Sequence, residues 1–307
     1  MTGDGPAQVG PDPSREPARD RLIGLAYAAG WAAIKALPRR VSATAFAAAA
    51  DLAYRRQGRG VQRLAGNLRR VRPEASEAEL VALTRRAMRS YARYWLETFR
   101  LPVMNKATVA SQIWVTGAED LKKAVGAGKG VIIALPHMGN YDIAGVWMVQ
   151  NEMPFTTVAE RLKPDSLFRR FTAYRESLGM EVLALGHGEK PPAETLARRL
   201  RDGGIICLVA DRDLTASGIE VDFFGATAKM PAGPAFLAAT TGAALIPLRL
   251  WYEGAGWGMH FYPPVPVVEA ARLRDRVTGT TQQLADIFAA DIASYPQDWH
   301  MLQRMWL

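Results

Sequence analysis

The chain has 307 residues, 49% of them apolar, a single cysteine and a formal charge of +8. A large core is possible, a disulfide framework within the chain is excluded, and the composition fits either one big α/β domain or one such domain with a helical appendage. The lone Cys207, inside the apolar run Ile205-Ile-Cys-Leu-Val-Ala210, reads as a buried strand residue compatible with a reducing cytosol. The charge is uneven: residues 39 to 93 hold thirteen arginines against Asp51, Glu74, Glu77 and Glu79. Such a surface suits nucleic acid, an anionic membrane leaflet or a polyphosphate-bearing cofactor, and the interleaved Ala, Leu, Trp and Tyr favour the membrane over nucleic acid. A solvated helix face with no specific partner is the bland alternative.

Residues 1 to 20 are rich in Gly, Pro and charge, too poor in apolar residues to fold, and are expected to be a disordered tail. Leu22 to Leu37 is a 16-residue apolar stretch containing Lys35. It is shorter than the roughly 20 residues of a transmembrane helix and reads as an interfacial or core helix. A signal peptide competes, weakened by the acidic residues before the stretch and by Arg39-Arg40 after it. Residues 40 to 100 have helical periodicity, with a Ser76-x-x-Glu79 capping box opening one segment. Beyond Gly117 short β-branched runs alternate with helical stretches: Gly130 to Leu135, Phe155 to Ala159, Glu181 to Leu185, Gly204 to Ala210 and Ala244 to Tyr252. Strands separated by helices imply an open, mostly parallel sheet flanked by helices, hence an α/β fold with a helical N-terminal region.

The chemistry concentrates at Val131-Ile-Ile-Ala-Leu-Pro-His-Met-Gly-Asn-Tyr-Asp142. On one continuous helix, residues five apart lie about 140° apart around the axis and do not meet. His137 is therefore expected in a strand-to-helix turn after Pro136, with Asp142 in the first turn of the helix. There Asp142 would hold the imidazole and stabilise its charged form. Sites in open parallel sheets form beyond the carboxyl ends of the strands, which adds Glu160 and Asp211 to the same rim. For His137 alone, a hydrogen-bonded capping histidine is the simpler reading; three chemically suggestive strand ends together shift it toward function. Backbone N–H groups near Gly139 and Asn140 are candidate donors to a developing oxyanion.

The cluster Ala210 to Ser217, Val221 to Gly225 and Met230 to Pro234 is dense in Gly and Pro and reads as a long irregular segment. Arg212 there suits either a bridge to Asp213 or Asp222 or a substrate role, while Phe223 and Phe224 read as loop anchors. Gly126-Ala-Gly-Lys-Gly130 precedes a strand and reads as a turn instead of a phosphate loop. No Gly-x-Ser-x-Gly elbow occurs, and His187, His260 and His300 stand apart without ligand spacing, so no metal site is expected. His300 reads as a packed C-terminal residue.

The His-x4-Asp pattern after a strand resembles the glycerolipid and lipid A acyltransferase superfamily (HX4D motif). Phe155 to Pro164, Tyr174 to Gly179, the Asp-Arg-Asp-Leu to Phe-Phe-Gly segment, Pro231 to Pro234 and Tyr295-Pro-Gln-Asp-Trp-His-Met-Leu-Gln303 look like actinobacterial phosphatidylinositol mannoside acyltransferases. The resemblance runs from about residue 22 to the end and implies one acyltransferase domain over 21–307. Residues 21–100 would form its helical membrane-associating part and residues 110–307 its α/β catalytic part. It implies transfer of a fatty acyl chain, typically palmitoyl, from acyl-CoA to a mannose hydroxyl of a phosphatidylinositol mannoside. The expected location is the cytosolic face of the plasma membrane, as a peripheral protein. His137 would be the base, Asp142 its support and Asp211 the second acidic residue of a dyad, one methylene shorter than the Glu that close relatives carry. Glu160 and Arg175 match positions around the site, with Arg175 orienting substrate.

A thioester is already activated, so no cofactor beyond the acyl-CoA substrate is implied. An apolar groove for the acyl chain could be lined by Trp147, Met148 and the Phe-rich segments. Another lipid acceptor, such as a lipid A precursor or a lysophospholipid, and a non-catalytic lipid-binding protein of this fold are the rival readings.

Overall fold

The centre of the fold is β2 (Val131–Leu135), whose five residues are all buried. Successive strand side chains point to opposite faces, so Ile132 and Ala134 enter one apolar core while Val131, Ile133 and Leu135 enter another. A strand apolar on both faces belongs in the middle of a sheet covered on both sides. In a computed structural model that describes residues 17–160, 165–185, 192–213 and 218–307, β2 holds that place. The seven-stranded sheet has the order β1-β9-β8-β2-β5-β3-β4. Its other strands are β1 (Ile113–Thr116), β3 (Phe155–Glu160), β4 (Glu181–Leu185), β5 (Ile205–Val209), β8 (Ala244–Glu253) and β9 (Gly256–Phe261). Every pairing in it is parallel except β8 with β9. The α/β fold with a mostly parallel sheet read from the sequence is the fold observed.

On one face lie α6 (Ala118–Gly126) and α7 (Tyr141–Gln150), and on the other α9 (Ala193–Arg201), α10 (Gly233–Thr241) and α11 (Leu273–Ser294). The segment expected to be irregular around residues 210 to 234 instead contains a hairpin, β6 (Ile219–Phe223) and β7 (Ala226–Met230). Its two-residue turn, Phe224 and Gly225, has φ of 54° and 70°, the left-handed pair that matches strand twist. Phe223 is buried in the core, as an anchor would be; residues 214–217 lie outside the described residues.

The N-terminal region is helical as expected: α1 (Ala18–Ala36), α2 (Arg39–Arg55), α3 (Arg59–Val71) and α4 (Glu77–Arg100), followed by the short α5 (Lys106–Ser111). The Ser76–Glu79 capping box is formed. Val61, Leu64, Leu68 and Val71 of α3 recur at helical spacing; the first three pack with Leu80, Leu83 and Ala87 of α4, and Val71 joins the core under the sheet. The tail expected over residues 1 to 20 falls mostly outside the described residues, and α1 already begins at Ala18. Among the described residues no helix is long and apolar enough to cross a membrane. On α1, Leu22, Leu25 and Tyr27 are exposed, while Trp31 anchors the helix by donating to the Phe99 carbonyl at 2.8 Å. Arg100 closes its end on the carbonyls of Ile34 and Leu37. Among the described residues, ion pairs hold Arg69, Arg72, Arg85, Arg89 and Arg93 of that arginine-rich region.

Candidate active site

Strand register explains which carboxylate meets His137. Leu135 of β2 pairs with Val209 of β5, and the Ala210 N–H bonds the Leu135 carbonyl at 2.8 Å. Continued two residues past the ladder, that register sets His137 opposite Asp211. The His137 ring Nδ1 lies 2.6 Å from Asp211 Oδ1, and its backbone N–H donates to Oδ2 at 3.0 Å. Trp299 Nε1 donates to the same Oδ2 at 2.9 Å. Asp211 is fully buried, and burial pushes its carboxyl up; the His137 charge and these hydrogen bonds outweigh that and leave it below the ordinary aspartate value. An ionised carboxylate only accepts, so Nδ1 carries a proton, and in the neutral ring the lone pair is then on Nε2.

His137 faces an open cleft of about 160 Å³ lined by Tyr91, Tyr94, Trp95, Tyr141, Arg212, His300, Met301, Leu302 and Gln303. Arg212 meets Gln303 across this cleft. His300 is held by Ser90, 3.0 Å from Nε2, and the Ser90 hydroxyl donates to Asp298 Oδ1 at 2.8 Å. Burial and the nearby His137 push His300 down to about 3, so it is a neutral ring.

The structure corrects the expectation for Asp142. It lies in the first turn of α7, as read, but it is buried among other partners: Arg175 Nε at 2.9 Å, Thr98 Oγ1 at 3.2 Å and Tyr94 OH at 3.5 Å. Asn140 caps α7 by accepting from the N–H groups of Asp142 and Ile143, and the Asp142 carboxylate bonds groups of α4 and α8 (Asp165–Ser177), not the imidazole. Arg175, expected to orient substrate, is 18% exposed and its Nε is engaged by Asp142. The Asn140 amide in turn donates to Glu97 Oε2 at 2.8 Å, a buried carboxylate that also receives Trp257 Nε1 and Arg93 Nε.

Gly139 is corrected as an oxyanion donor, because its N–H bonds the Asp298 carbonyl at 2.9 Å. Its φ is 58° and a Cβ there would sit 2.9 Å from the Leu250 backbone, so the turn requires glycine. The Asn140 side chain is likewise engaged, while its backbone N–H makes no bond among the described residues. Neither Met148 nor Trp147 lines the cleft beside His137: Met148 is in the core, and the half-buried Trp147 packs on Phe261 with ring centroids 5.6 Å apart. Glu160 ends β3 on the same rim, but its side chain lies outside the described residues, as does His187. Among the described residues no cluster could hold a metal ion.

Sequence reasoning missed Trp299, Ser90, Asp298, Tyr94 and Glu97; His300 is packed as read, against Tyr91, Tyr94 and Ser90, and also borders the cleft. The segment Tyr295 to Gln303 was visible as a block of resemblance, and it is this block that supplies three of those groups. It pairs with the His137 turn: the Met138 and Trp299 backbones form an antiparallel bridge, flanked by the Gly139 bond and by His300 N–H to the His137 carbonyl at 2.8 Å.

Comparison with known proteins agrees with this architecture. Residues 14–307 match the family model for bacterial lipid A biosynthesis acyltransferase. A phosphatidylinositol mannoside acyltransferase of Mycolicibacterium smegmatis is 52% identical over 295 residues, 95% of this chain and 94% of the relative. One of Mycobacterium tuberculosis is 50% identical over 284 residues, 92% and 88% of the two chains. A match over nearly the whole length, through the sheet, the His137 turn and the C-terminal segment, leaves one assignment: the chain is an acyltransferase that belongs to the bacterial lipid A biosynthesis acyltransferase family.

Proposed function

We propose that this protein moves a fatty acyl chain, typically palmitoyl, from acyl-CoA to a mannose hydroxyl of a phosphatidylinositol mannoside, with His137 as general base. The observation that carries the reading is the His137–Asp211 pair, with His137 on the wall of the cleft. The acceptor is inferred from the names of the mycobacterial relatives. A sugar hydroxyl is a weak nucleophile at neutral pH, and a positioned base contributes roughly 10²- to 10⁴-fold in rate. In this reading Nε2 takes the hydroxyl proton as the oxygen attacks the thioester carbonyl. The tetrahedral oxyanion then collapses, the C–S bond breaks, and the CoA thiolate recovers the proton from Nε2. Asp211 stabilises the imidazolium in between. With the Gly139 N–H occupied, donors to the oxyanion come from the Asn140 N–H or from the cleft wall, where Arg212 supplies positive charge. The chemistry calls for no cofactor, because the thioester is already activated. Rings running from Trp95 through Phe99 and Phe171 to Trp31, with centroids 5.3–6.4 Å apart, give the acyl chain an apolar lane toward α1.

Incubation with radiolabelled palmitoyl-CoA and a panel of phosphatidylinositol mannosides, a lipid A precursor and a lysophospholipid tests the reading, with products identified by mass spectrometry. Label entering a mannose ester supports it. Label entering only another acceptor, or none, overturns the acceptor or the activity respectively.

The same reading places the protein on the cytosolic face of the plasma membrane, held by α1 and α2. Leu22, Leu25, Tyr27, Leu37, Val41 and Leu52 expose apolar surface there, and Arg39, Arg40, Arg55 and Arg56 are exposed beside them. Each arginine near an anionic surface contributes about 1 kcal/mol, and burial of hydrocarbon adds a part that salt does not screen. Flotation with phosphatidylinositol-containing vesicles should therefore show recovery that falls with salt to a residual level. Equal recovery on neutral and anionic vesicles at low salt would assign the arginines another purpose.

A further inference from the structure

The carboxylate of an aspartate turns easily about its terminal bond, since that torsion is broad. Asp211 has two oxygens with different duties: Oδ1 faces the imidazole, and Oδ2 receives the His137 backbone N–H and the Trp299 indole N–H. Those two donors reach Oδ2 from separate segments, the turn after β2 and the C-terminal segment. Trp299 is itself tightly packed. Its side chain is fully buried, it meets Phe223 and Trp306 edge-on at centroid distances of 6.2 and 6.3 Å, and its backbone is bridged to Met138.

We propose that Trp299 is a positioning residue for the His137–Asp211 pair: its indole N–H fixes the rotation of the Asp211 carboxylate, so that one oxygen faces Nδ1 and Nε2 stays unprotonated toward the cleft. The proposal rests on His137 being the base. An indole suits the duty because it only donates and has no charge of its own, so it holds the carboxylate without drawing it away from the imidazole. Without it, Oδ2 is left with one donor and the carboxylate is free to pivot, admitting the other imidazole tautomer, whose Nε2 bears the proton and cannot accept another.

The test is Trp299→Phe, which removes the N–H and keeps an aromatic ring in the core. A hydrogen bond to a charged group corresponds to roughly a 10- to 100-fold loss in kcat for palmitoyl transfer to a phosphatidylinositol mannoside. The KM for palmitoyl-CoA should change little. In the Asp211→Asn background the same substitution should change kcat by less than about twofold, because a residue acting through Asp211 has nothing left to act on. Nitrogen-15 spectra of histidine-labelled protein supply a second readout. Wild type should show His137, assigned by its loss in His137→Ala, with Nδ1 protonated and Nε2 bare, and Trp299→Phe should show a mixture of tautomers. An equal loss of kcat in both backgrounds, or a wild-type ring protonated on Nε2, overturns the proposal. A wild-type ring protonated on Nε2 overturns it even if the phenylalanine variant does not fold. Undiminished transfer by folded His137→Ala would instead overturn the base assignment and leave the spectral result standing.

Discussion

Asp142 and Asp211 are both buried and both stand beside the turn that carries His137, yet they live in opposite surroundings. Asp211 is paired with a ring that can gain and lose a proton and that opens on the cleft. Asp142 is paired with Arg175, a group that stays charged, behind the rings of Tyr94 and Tyr141. The contrast teaches that the acidic residue belonging to a sequence motif and the acidic residue touching the histidine need not be the same one. Strand register chooses the partner, and helix capping dictates where the motif carboxylate points.

Substitution at the pair is the strongest way to break this comparison. His137→Ala should lose roughly 10²- to 10⁴-fold in kcat with the fold intact. Asp211→Asn should lose turnover without an equal loss of acyl-CoA binding. Steady-state kinetics on the purified variants, with circular dichroism as the control, measures both. A fully active Asp211→Asn enzyme would remove the distinction between the two aspartates.

The complementary variant, Asp142→Ala, leaves the Arg175 guanidinium buried without its counter-charge. Breaking such a pair costs about 3–5 kcal/mol of stability. Urea denaturation should show that loss, while the molecules that remain folded keep a kcat well above that of His137→Ala. A folded Asp142→Ala protein as inactive as His137→Ala would return Asp142 to the chemistry.

A third buried aspartate sharpens the contrast from the other side. Asp291, near the end of α11, receives Tyr262 OH and Arg249 on Oδ1, the latter at 3.4 Å, while Oδ2 has no hydrogen-bond partner. Burial wins there and the carboxyl is pushed up to about 6. The folded state then holds this proton more tightly than the unfolded chain does. Stability from Asp291 is thus present below the usual aspartate value and is lost as pH rises toward about 6, by up to about 3 kcal/mol. Asp211, whose carboxyl lies low, acts oppositely and loses its contribution as pH falls. Denaturation of wild type and Asp291→Asn between pH 4 and 7 should therefore differ in slope, with the variant lacking the decline. Parallel curves would show that Arg249 and Tyr262 compensate the buried charge.

The parts of this molecule legible in the sequence are those decided locally. The run Val131 to Leu135 announces a strand buried on both faces, Pro136 ends it, and the apolar stretch from Tyr141 gives the helix that follows, so His137 falls in the turn. The capping box at Ser76 is equally local. What stayed hidden depends on pairing across long stretches of chain. β9, Gly-Trp-Gly-Met-His-Phe, lacks the β-branched run that marks a strand and is made one by β8 and β1 on either side. β6 and β7 were obscured by glycine and proline around them, although the Phe224-Gly225 turn needs that freedom. Gly139 looked like a donor because its neighbours are in a helix start, and only the C-terminal segment shows its N–H occupied.

That segment also sets an order of events in the life of the chain. Asp211 lies 74 residues beyond His137, and Trp299 another 88 beyond Asp211. A ribosome therefore delivers the histidine first, the carboxylate later and the indole last. Contacts so distant along the chain form late in folding, after the local helices and hairpins. A nascent protein carrying the β2 turn but not yet residues 298–300 holds a histidine whose turn lacks its main-chain brace, so the braced turn is assembled only after those residues have been made.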